Sequence, residues 1–472
     1  MIGLWKDFTH ISFLVNTPRT NISLLKDIMW RSTTVLRSAT GTPAVAEPDP
    51  ESRAMLFLKL AIECQERFEQ TKDRSELDNS IRYLEQAMDL LHERHPDRAH
   101  ALFLVGQTLT RAFQNSELDR GITCLQEVLT FWPEGHPWNF MPLNLLAGAL
   151  LVRFTRTGDR SDLNQSINYS RKVLSLRPEG HPGRSESLSR LANGLLRRFE
   201  QNGDQNDLDQ SVNHYTEALD LRPEGHPDRS GSLSDLAISL ATRFEQKGDR
   251  SDVDQSVNYF REALDLQPDG HPHRAESLSN LAGGLRRRFR QSGDQSDLDQ
   301  AVNYNGEALD LWPEGHPNRS ASLFNLANSL MIRFQHSGER SDLDQSIDYH
   351  RAAFNIRPEG HPDRSASLFG LAIGFWTRFE QTGDGGDLDQ CVDYYREVLD
   401  IWPERHPDRS ALLCDFAKSL MTRFQHSGDR SDLDQSLNYY REAMDHWPEG
   451  HPNRYATLPD TESRLEPIIN YY

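Results

Sequence analysis

The chain has 472 residues and a formal net charge of -19, with 36% hydrophobic, 26% charged and 9% aromatic content. Its 71 Asp and Glu against 52 Lys and Arg count against nucleic acid and anionic membrane as partners, because phosphate surfaces attract excess base. No run approaches the roughly 18 apolar residues of a membrane helix, and residues 1–30 lack a basic-then-apolar leader, so a cytoplasmic chain is the expectation.

Residues 1–49 form an N-terminal segment whose structure the sequence leaves open. It holds five basic and four acidic side chains, Trp5 and Trp30, and a Thr/Pro/Ala-rich end from Thr40 to Pro50, so the acidity belongs to the rest of the chain. Trp30 to Gly41 is acid-free with two Arg, as in a transit peptide, but Asp7 and Asp27 count against that.

From residue 50 to 450 the sequence repeats itself. The dipeptide His-Pro recurs at His95, His136, His181, His226, His271, His316, His361, His406 and His451. Seven of the eight intervals are 45 residues; the interval from His95 to His136 is 41, because a loop there is four residues short. Counting back from His95 brings Leu60-Ala61, Arg67-Phe68 and Ser75-Glu76-Leu77-Asp78 into register, which makes nine repeats. Repeat positions are numbered with each His as position 1.

Each repeat predicts two helices. In the unit from His361, Leu368, Leu371, Ala372, Phe375 and Phe379 stand at positions 8, 11, 12, 15 and 19, the spacing of an amphipathic helix. Pro362 and Asp363 suit the start of this first helix, and Gly383-Asp384 breaks it. A Ser-Asp-Leu-Asp signal such as Ser431–Asp434 predicts the start of the second helix, with Ser as cap and Asp completing a capping box. Leu433, Leu437, Tyr440, Ala443 and Met444 come next at helical spacing, and Pro448-Glu449-Gly450 stops them. One hairpin cannot bury its own apolar stripe, so neighbours must stack into a solenoid. After His451, Pro459 interrupts a tenth first helix, so residues 451–472 are expected to be a degenerate C-terminal cap or a truncated repeat.

The second helix, as in Ser256-Val257-Asn258-Tyr259-Phe260-Arg261-Glu262-Ala263-Leu264-Asp265-Leu266-Gln267-Pro268, resembles helix B of a tetratricopeptide repeat (TPR), and Leu236-Ala237 with Leu240 resembles part of its helix A. The resemblance implies an all-α, right-handed, TPR-like superhelical solenoid of about nine 45-residue helix-turn-helix repeats; a HEAT/armadillo-like solenoid is the alternative at this period. The wording Gly-His-Pro-Asp-Arg-Ser with Arg-Phe-x-Gln also resembles long repeat arrays of fungal proteins, some of which carry a caspase-like CHAT domain.

Little in the sequence supports catalysis. The periodic His residues would sit in separate layers and cannot converge on one metal, so a packed or capping imidazole is expected. His273, His336 and His426 stand outside that series. Cys64, Cys124, Cys391 and Cys414 occupy ordinary helical slots and form no CxxC pair. Leu281-Ala282-Gly283-Gly284-Leu285 comes after no strand, so it is not a phosphate loop. No cofactor or metal is expected, and the chain is not expected to be an enzyme. Arg at position 18 recurs in eight repeats with acids at positions 27 and 29, such as Asp387 and Asp389, which predicts ion pairs between the two helices of a hairpin. Ser and Gly at positions 7 and 14, such as Ser367 and Gly374, allow close helix crossing.

Positions that vary between repeats are where packing does not dictate identity. By the tetratricopeptide match, positions 9, 13, 16 and 17 face the concave groove. Arg197, Arg286 and Arg287 there suggest a basic groove in the middle repeats. Positions 9 and 16 of the last three full repeats hold Phe324 and Met331, Phe369 and Trp376, then Cys414 and Met421, where earlier repeats hold Ser189 and Leu196 or Ser234 and Ala241. Such an apolar and aromatic surface fits either a contact site for a peptide or helix, or local core between first helices. The expected function is a protein-protein interaction scaffold that binds a partner protein or peptide in the groove. The alternative is the recognition arm of a CHAT-type peptidase or a nucleotide-driven signalling protein, separated from its effector domain.

Overall fold

The computed structural model describes residues 49–446, apart from residues 93, 94, 96, 111–114, 405 and 407. The expected N-terminal segment, the link at Pro448-Glu449-Gly450 and the C-terminal cap lie outside the described residues, except for Asp49. Among the described residues there are eighteen helices and no strand. In chain order they are α1 (Pro50–Thr71), α2 (Arg74–Leu90), α3 (Arg98–Thr110), α4 (Asn115–Phe131), α5 (Phe140–Thr157), α6 (Arg160–Ser175), α7 (Arg184–Asn202), α8 (Gln205–Asp220) and α9 (Arg229–Lys247). Next come α10 (Arg250–Asp265), α11 (Arg274–Ser292), α12 (Gln295–Leu311), α13 (Arg319–Ser337), α14 (Arg340–Ile356), α15 (Arg364–Thr382), α16 (Gly385–Ile401), α17 (Arg409–Ser427) and α18 (Arg430–His446). Odd-numbered helices are the first of each hairpin and even-numbered helices the second. The chain divides into two compact units, with the division between Arg243 and Phe244 inside α9. No described helix is long and apolar enough to cross a membrane.

The apolar stripes do the packing. On α15, Leu368, Leu371, Ala372, Phe375 and Phe379 are all buried, and on α16 Leu388, Val392, Tyr395 and Val398 are buried opposite them. Full burial of such side chains contributes about 1.5–3 kcal/mol each, so the stripe outweighs the weak propensity of a helix this rich in β-branched and aromatic residues. Small residues set how closely the helices approach. A Cβ on Gly374 would meet Ile347 of the preceding hairpin at 2.7 Å, and one on Gly194 would meet Ile167 at 2.9 Å. Within several hairpins a Ser hydroxyl donates to an Ala carbonyl of the facing helix: Ser346 to Ala327 at 2.8 Å, Ser211 to Ala192 at 2.9 Å, Ser436 to Ala417 at 2.7 Å.

The caps differ from the expectation in two places. The second helices begin one residue earlier than the Ser-Asp-Leu-Asp signal, and the cap is the Asp two residues before the Ser. Asp249, Asp294 and Asp429 each accept from the backbone N–H of the Ser at 2.9–3.0 Å, while the Ser hydroxyl accepts from a Gln one turn on, as Ser431 does from Gln435 at 3.0 Å. The preceding Gly already takes the left-handed turn that ends the first helix, as Gly383 does at φ 68°, so the next residue is the one free to cap. The first helix α3, and every first helix from α7 on, begins at Arg364 or its equivalent rather than at the Pro, which sits in the connecting turn.

That turn explains the periodic His. Pro358-Glu359-Gly360-His361 closes with the His361 N–H donating to the Pro358 carbonyl at 3.0 Å and Gly360 at φ 84°, a type II turn with glycine where φ must be positive. The imidazole Nδ1 then accepts from the backbone N–H two residues on, at 3.1 Å in His361, 3.2 Å in His271 and 3.0 Å in His181. Changing His271 to Ala should therefore lower stability by about 1 kcal/mol, measured by denaturant unfolding. The same bond has a pH signature. It needs an unprotonated Nδ1, and burial holds His181, His271 and His406 below the ordinary imidazole value of 6.5. As pH falls below 6.5 the unfolded chain takes up protons that the folded chain refuses, so stability should decline into the acid range, and less steeply when these His residues are replaced by Asn.

Arg at position 18 does more than join one hairpin. Arg378 holds Asp387 with its Nε at 2.8 Å and Nη2 at 2.7 Å, a two-pronged pair across α15 and α16. Its Nη1 reaches Asp344 on α14 of the preceding repeat at 3.4 Å. Arg333 and Arg423 repeat the arrangement with Asp342 and Asp299, and with Asp432 and Asp389. The acid at position 29 thus belongs to the next repeat's Arg, not to its own hairpin as the sequence suggested. One guanidinium fixes both the hairpin and its register on its neighbour.

Candidate functional site

The apolar positions 9 and 16 are carried by α13, α15 and α17, all within the unit that begins at Phe244. Seven residues are nearly two turns, so each pair lies on one helical face. The structure divides them. Met331 is buried within the core of α13 to α17, so it is a packing residue and not part of an open face. Phe324 is half-buried, with its ring 5.4 Å edge-on from buried His350 and the Arg357 guanidinium 5.2 Å from its centroid. Burial pulls His350 down to a pKa of about 3, so a neutral imidazole sits behind this ring.

Phe369 is half-buried against Tyr395 at 6.0 Å and Trp402 at 5.8 Å. Trp376 is half-buried too, against Phe379 at 5.8 Å, and its ring lies under the Lys418 ammonium of the next repeat at 4.6 Å. Lys418 is exposed and also pairs with exposed Glu380 at 3.6 Å. Met421 and Cys414 are half-buried on α17. What the structure brings together is therefore a set of half-exposed apolar side chains on three successive first helices, with a cation-capped indole among them.

The basic groove is not realised. Arg286 is buried, not solvent-facing: its Nη1 reaches the Asn325 carbonyl and the Ser329 hydroxyl, both at 3.4 Å. The cause is on another helix. Asn305 on α12 stands where other repeats have Tyr215, Phe260 or Tyr395, and its amide donates to the same Ser329 hydroxyl at 3.1 Å, so the Arg286 stem and head fill space that an aromatic ring fills elsewhere. Burial, with Arg287 and Arg290 nearby, draws its pKa down to about 9. Arg287 pairs with Glu245 at 2.6 Å and Arg197 with Glu200 at 3.1 Å, so both carry their own counter-charge.

His336 and His426 belong to a pattern that is not visible in the sequence. Each stands after Arg-Phe-Gln and packs edge-on, at 5.4 Å, against the position-19 Phe of the preceding repeat, Phe289 and Phe379 respectively. The four thiols are not poised for attack. Burial pushes Cys414 up to about 12 and raises Cys64, Cys124 and Cys391 as well, the opposite of what a nucleophilic thiolate needs. The unit from Phe244 also exposes one apolar side chain per hairpin end, Leu266, Leu311, Ile356 and Ile401, at 42–47% of their surface. Single exposed apolar residues are ordinary on a soluble protein and do not by themselves mark a site.

Paired helices, each hairpin stacked on the next through its apolar stripe and its position-18 Arg, define an all-α, TPR-like helical repeat array. No protein-family model and no curated protein matches the chain. Solved structures with TPR-like repeats do. A putative kinesin light chain of Podosopora anserina, described as having nearly identical TPR-like repeats, is 20% identical, covering 47% of this chain and 98% of that chain at a TM-score of 0.35. An IFIT1 monomeric mutant with Gppp-AAAA is 14% identical, covering 98% of this chain and 90% of that chain at a TM-score of 0.48. Apo RapI is 12% identical, covering 83% and 97% at a TM-score of 0.49. All three scores lie below 0.5, so the fold rests on the helices and contacts of this chain itself.

Proposed function

We propose that this chain is a protein-binding scaffold in the cytoplasm, and that Phe324, Phe369, Trp376 and Met421 on α13, α15 and α17 contact an apolar peptide or amphipathic helix of a partner protein. The observation that carries the reading is Trp376. It keeps part of its indole in solvent under an exposed ammonium, at a position whose equivalents Leu196, Ala241, Arg286 and Met331 are buried, so this face is open where those repeats close it. Half-exposed aromatic rings beside adaptable Met are the side chains that anchor interfaces. The excess of acid over base makes a peptide a better suited partner than a nucleic acid, whose phosphates this surface charge repels. The reading assigns no catalytic step to the chain.

The test is a selection of displayed peptides on the purified chain, then binding to variants. Trp376→Ser should weaken the selected peptides at least 10-fold while lowering stability less than Phe369→Ser does, because part of the indole is already in solvent. Phe369→Ser, whose ring also packs on Tyr395 and Trp402, should lower both binding and stability. A selection that yields no binders, or binders indifferent to Trp376→Ser, overturns the reading.

A further inference from the structure

Five Asn-Gly or Asp-Gly dipeptides stand in the chain, beginning at Asn193, Asn202, Asp269, Asn305 and Asp384. In such a dipeptide the backbone nitrogen of the glycine can close a five-membered ring onto the side-chain carbonyl carbon before it, and glycine has no side chain to shield that nitrogen. The fold restrains four of the five. Asn193-Gly194 and Asn305-Gly306 lie inside α7 and α12, where the glycine N–H belongs to the helix ladder and Asn305 is buried. Asn202 ends α7: its Oδ1 accepts from the Asp204 N–H at 3.0 Å, and the Gly203 N–H donates to the Phe199 carbonyl at 2.7 Å. Asp384 caps α16, with its carboxylate accepting from the Gly386 N–H at 2.9 Å and Gly385 already the first helical residue.

Asp269-Gly270 is held by neither a helix nor a cap. It lies in the link between α10 and α11, in the turn that the His271 N–H closes onto the Pro268 carbonyl at 3.0 Å. Gly270 stands at φ 82° with nothing within 4 Å of an added Cβ, and among the described residues nothing accepts its N–H. The Asp269 side chain is 99% exposed and meets the Arg274 guanidinium at 3.3 Å, a pair open to water and weakened by it. Equivalent links read Glu-Gly, at Glu179, Glu224, Glu314 and Glu359. A glutamyl carboxyl would have to close a six-membered ring, a much slower reaction, so the repeat that begins at His226 is set apart from those.

We infer that Asp269-Gly270 is a site of backbone modification, at which Asp269 converts to isoaspartate in the folded protein. The Gly270 nitrogen attacks Cγ of the protonated Asp269 carboxyl; the nitrogen's proton and the carboxyl OH leave as one water, and a succinimide closes. One water then reopens the ring. Addition at the side-chain carbonyl restores Asp; addition at the main-chain carbonyl leaves the Gly270 nitrogen bonded to Cγ and a free carboxylate on Cα. The two waters balance, and no other reactant is needed. Isoaspartate routes the main chain through Cβ and Cγ, adding one carbon to the turn just before His271, whose Nδ1 accepts from the His273 N–H at 3.2 Å at the entry to α11. The site uses none of the residues of the aromatic face on α13, α15 and α17, and stands or falls without it.

The experiment ages the full chain for weeks at neutral pH and body temperature, folded and in denaturant, and follows each dipeptide by mass spectrometry of its tryptic peptide. In the folded chain the peptide Glu262–Arg274 should split into two peaks of equal mass, one of which an Asp-specific endoproteinase no longer cuts at Asp269. Folding should slow the reaction at Asp269 by less than about 3-fold against the denatured chain, and at Asp384 and Asn202 by roughly 10-fold or more, because those two react only after local opening. Asp269→Glu, the residue that equivalent links carry, should leave the peptide as one peak and the melting temperature unchanged. A single peak from the aged, folded wild-type chain, a slowing at Asp269 as large as at Asp384, or a split that persists in Asp269→Glu overturns the assignment.

Discussion

Replacing Arg378 with Ala is expected to destabilise the α15–α16 hairpin by about 3 kcal/mol, the low end for a severed buried ion pair. Asp387 is 6% exposed and receives both prongs of that guanidinium, so the substitution strands a carboxylate in a site it cannot leave without unfolding the hairpin. The value stands at the low end because the Arg378 side chain is itself 26% exposed and water can enter beside it. The loss should spread, since the same side chain reaches Asp344 on α14. Arg378→Lys should recover little, because an ammonium cannot reproduce the fork. Native-state hydrogen exchange is the appropriate measurement, as repeat arrays need not unfold in one step. Lost protection should centre on α14, α15 and α16; uniform loss over the whole chain, or none, would contradict this account of register.

Replacing Phe416 with Ala should cost about 3–5 kcal/mol. The ring is 0% exposed and lies 4.9 Å from Tyr439, stacked, and 6.2 Å from Tyr395. It therefore ties α17 both to its own second helix and to the second helix of the repeat before. Phe416→Leu should cost less than about 1.5 kcal/mol, because Leu fills the same position as Leu371, Leu326 and Leu281. Unfolding of α17 and α18 monitored by exchange would show both effects, and equal losses for Ala and Leu would mean that ring stacking rather than volume holds this junction.

The repeat period, the two helices per unit and the buried stripe were legible because each depends on spacing along one helix, and Leu368 to Phe379 pack as their spacing predicts. The bond from Arg378 to Asp387 was legible for a related reason, the recurrence of both residues nine apart. What escaped depends on a second element. Ser431 and Asp429 are both good capping residues, and only the backbone turn at Gly428 decides between them. Asp344 lies in the same phrase as its own hairpin, yet stacking delivers it to Arg378 of the next. Arg286 read as a groove cation because nothing on α11 shows that Asn305, on α12, has vacated the space that buries it. The apolar set on α13, α15 and α17 was visible by contrast with earlier repeats, but that Met331 is core and Trp376 is not depends on neighbours that no helix wheel contains.

The most direct measurement of the central claim is fluorine NMR of the chain labelled with 5-fluorotryptophan, titrated with a peptide selected on the purified protein. The Trp376 resonance, assigned by its loss in Trp376→Phe, is predicted to move saturably with the same Kd as binding, while the resonance of Trp132, 4% exposed in the other compact unit, stays in place. A peptide that binds tightly and leaves the Trp376 resonance unmoved would contradict the assignment of this face as the contact surface.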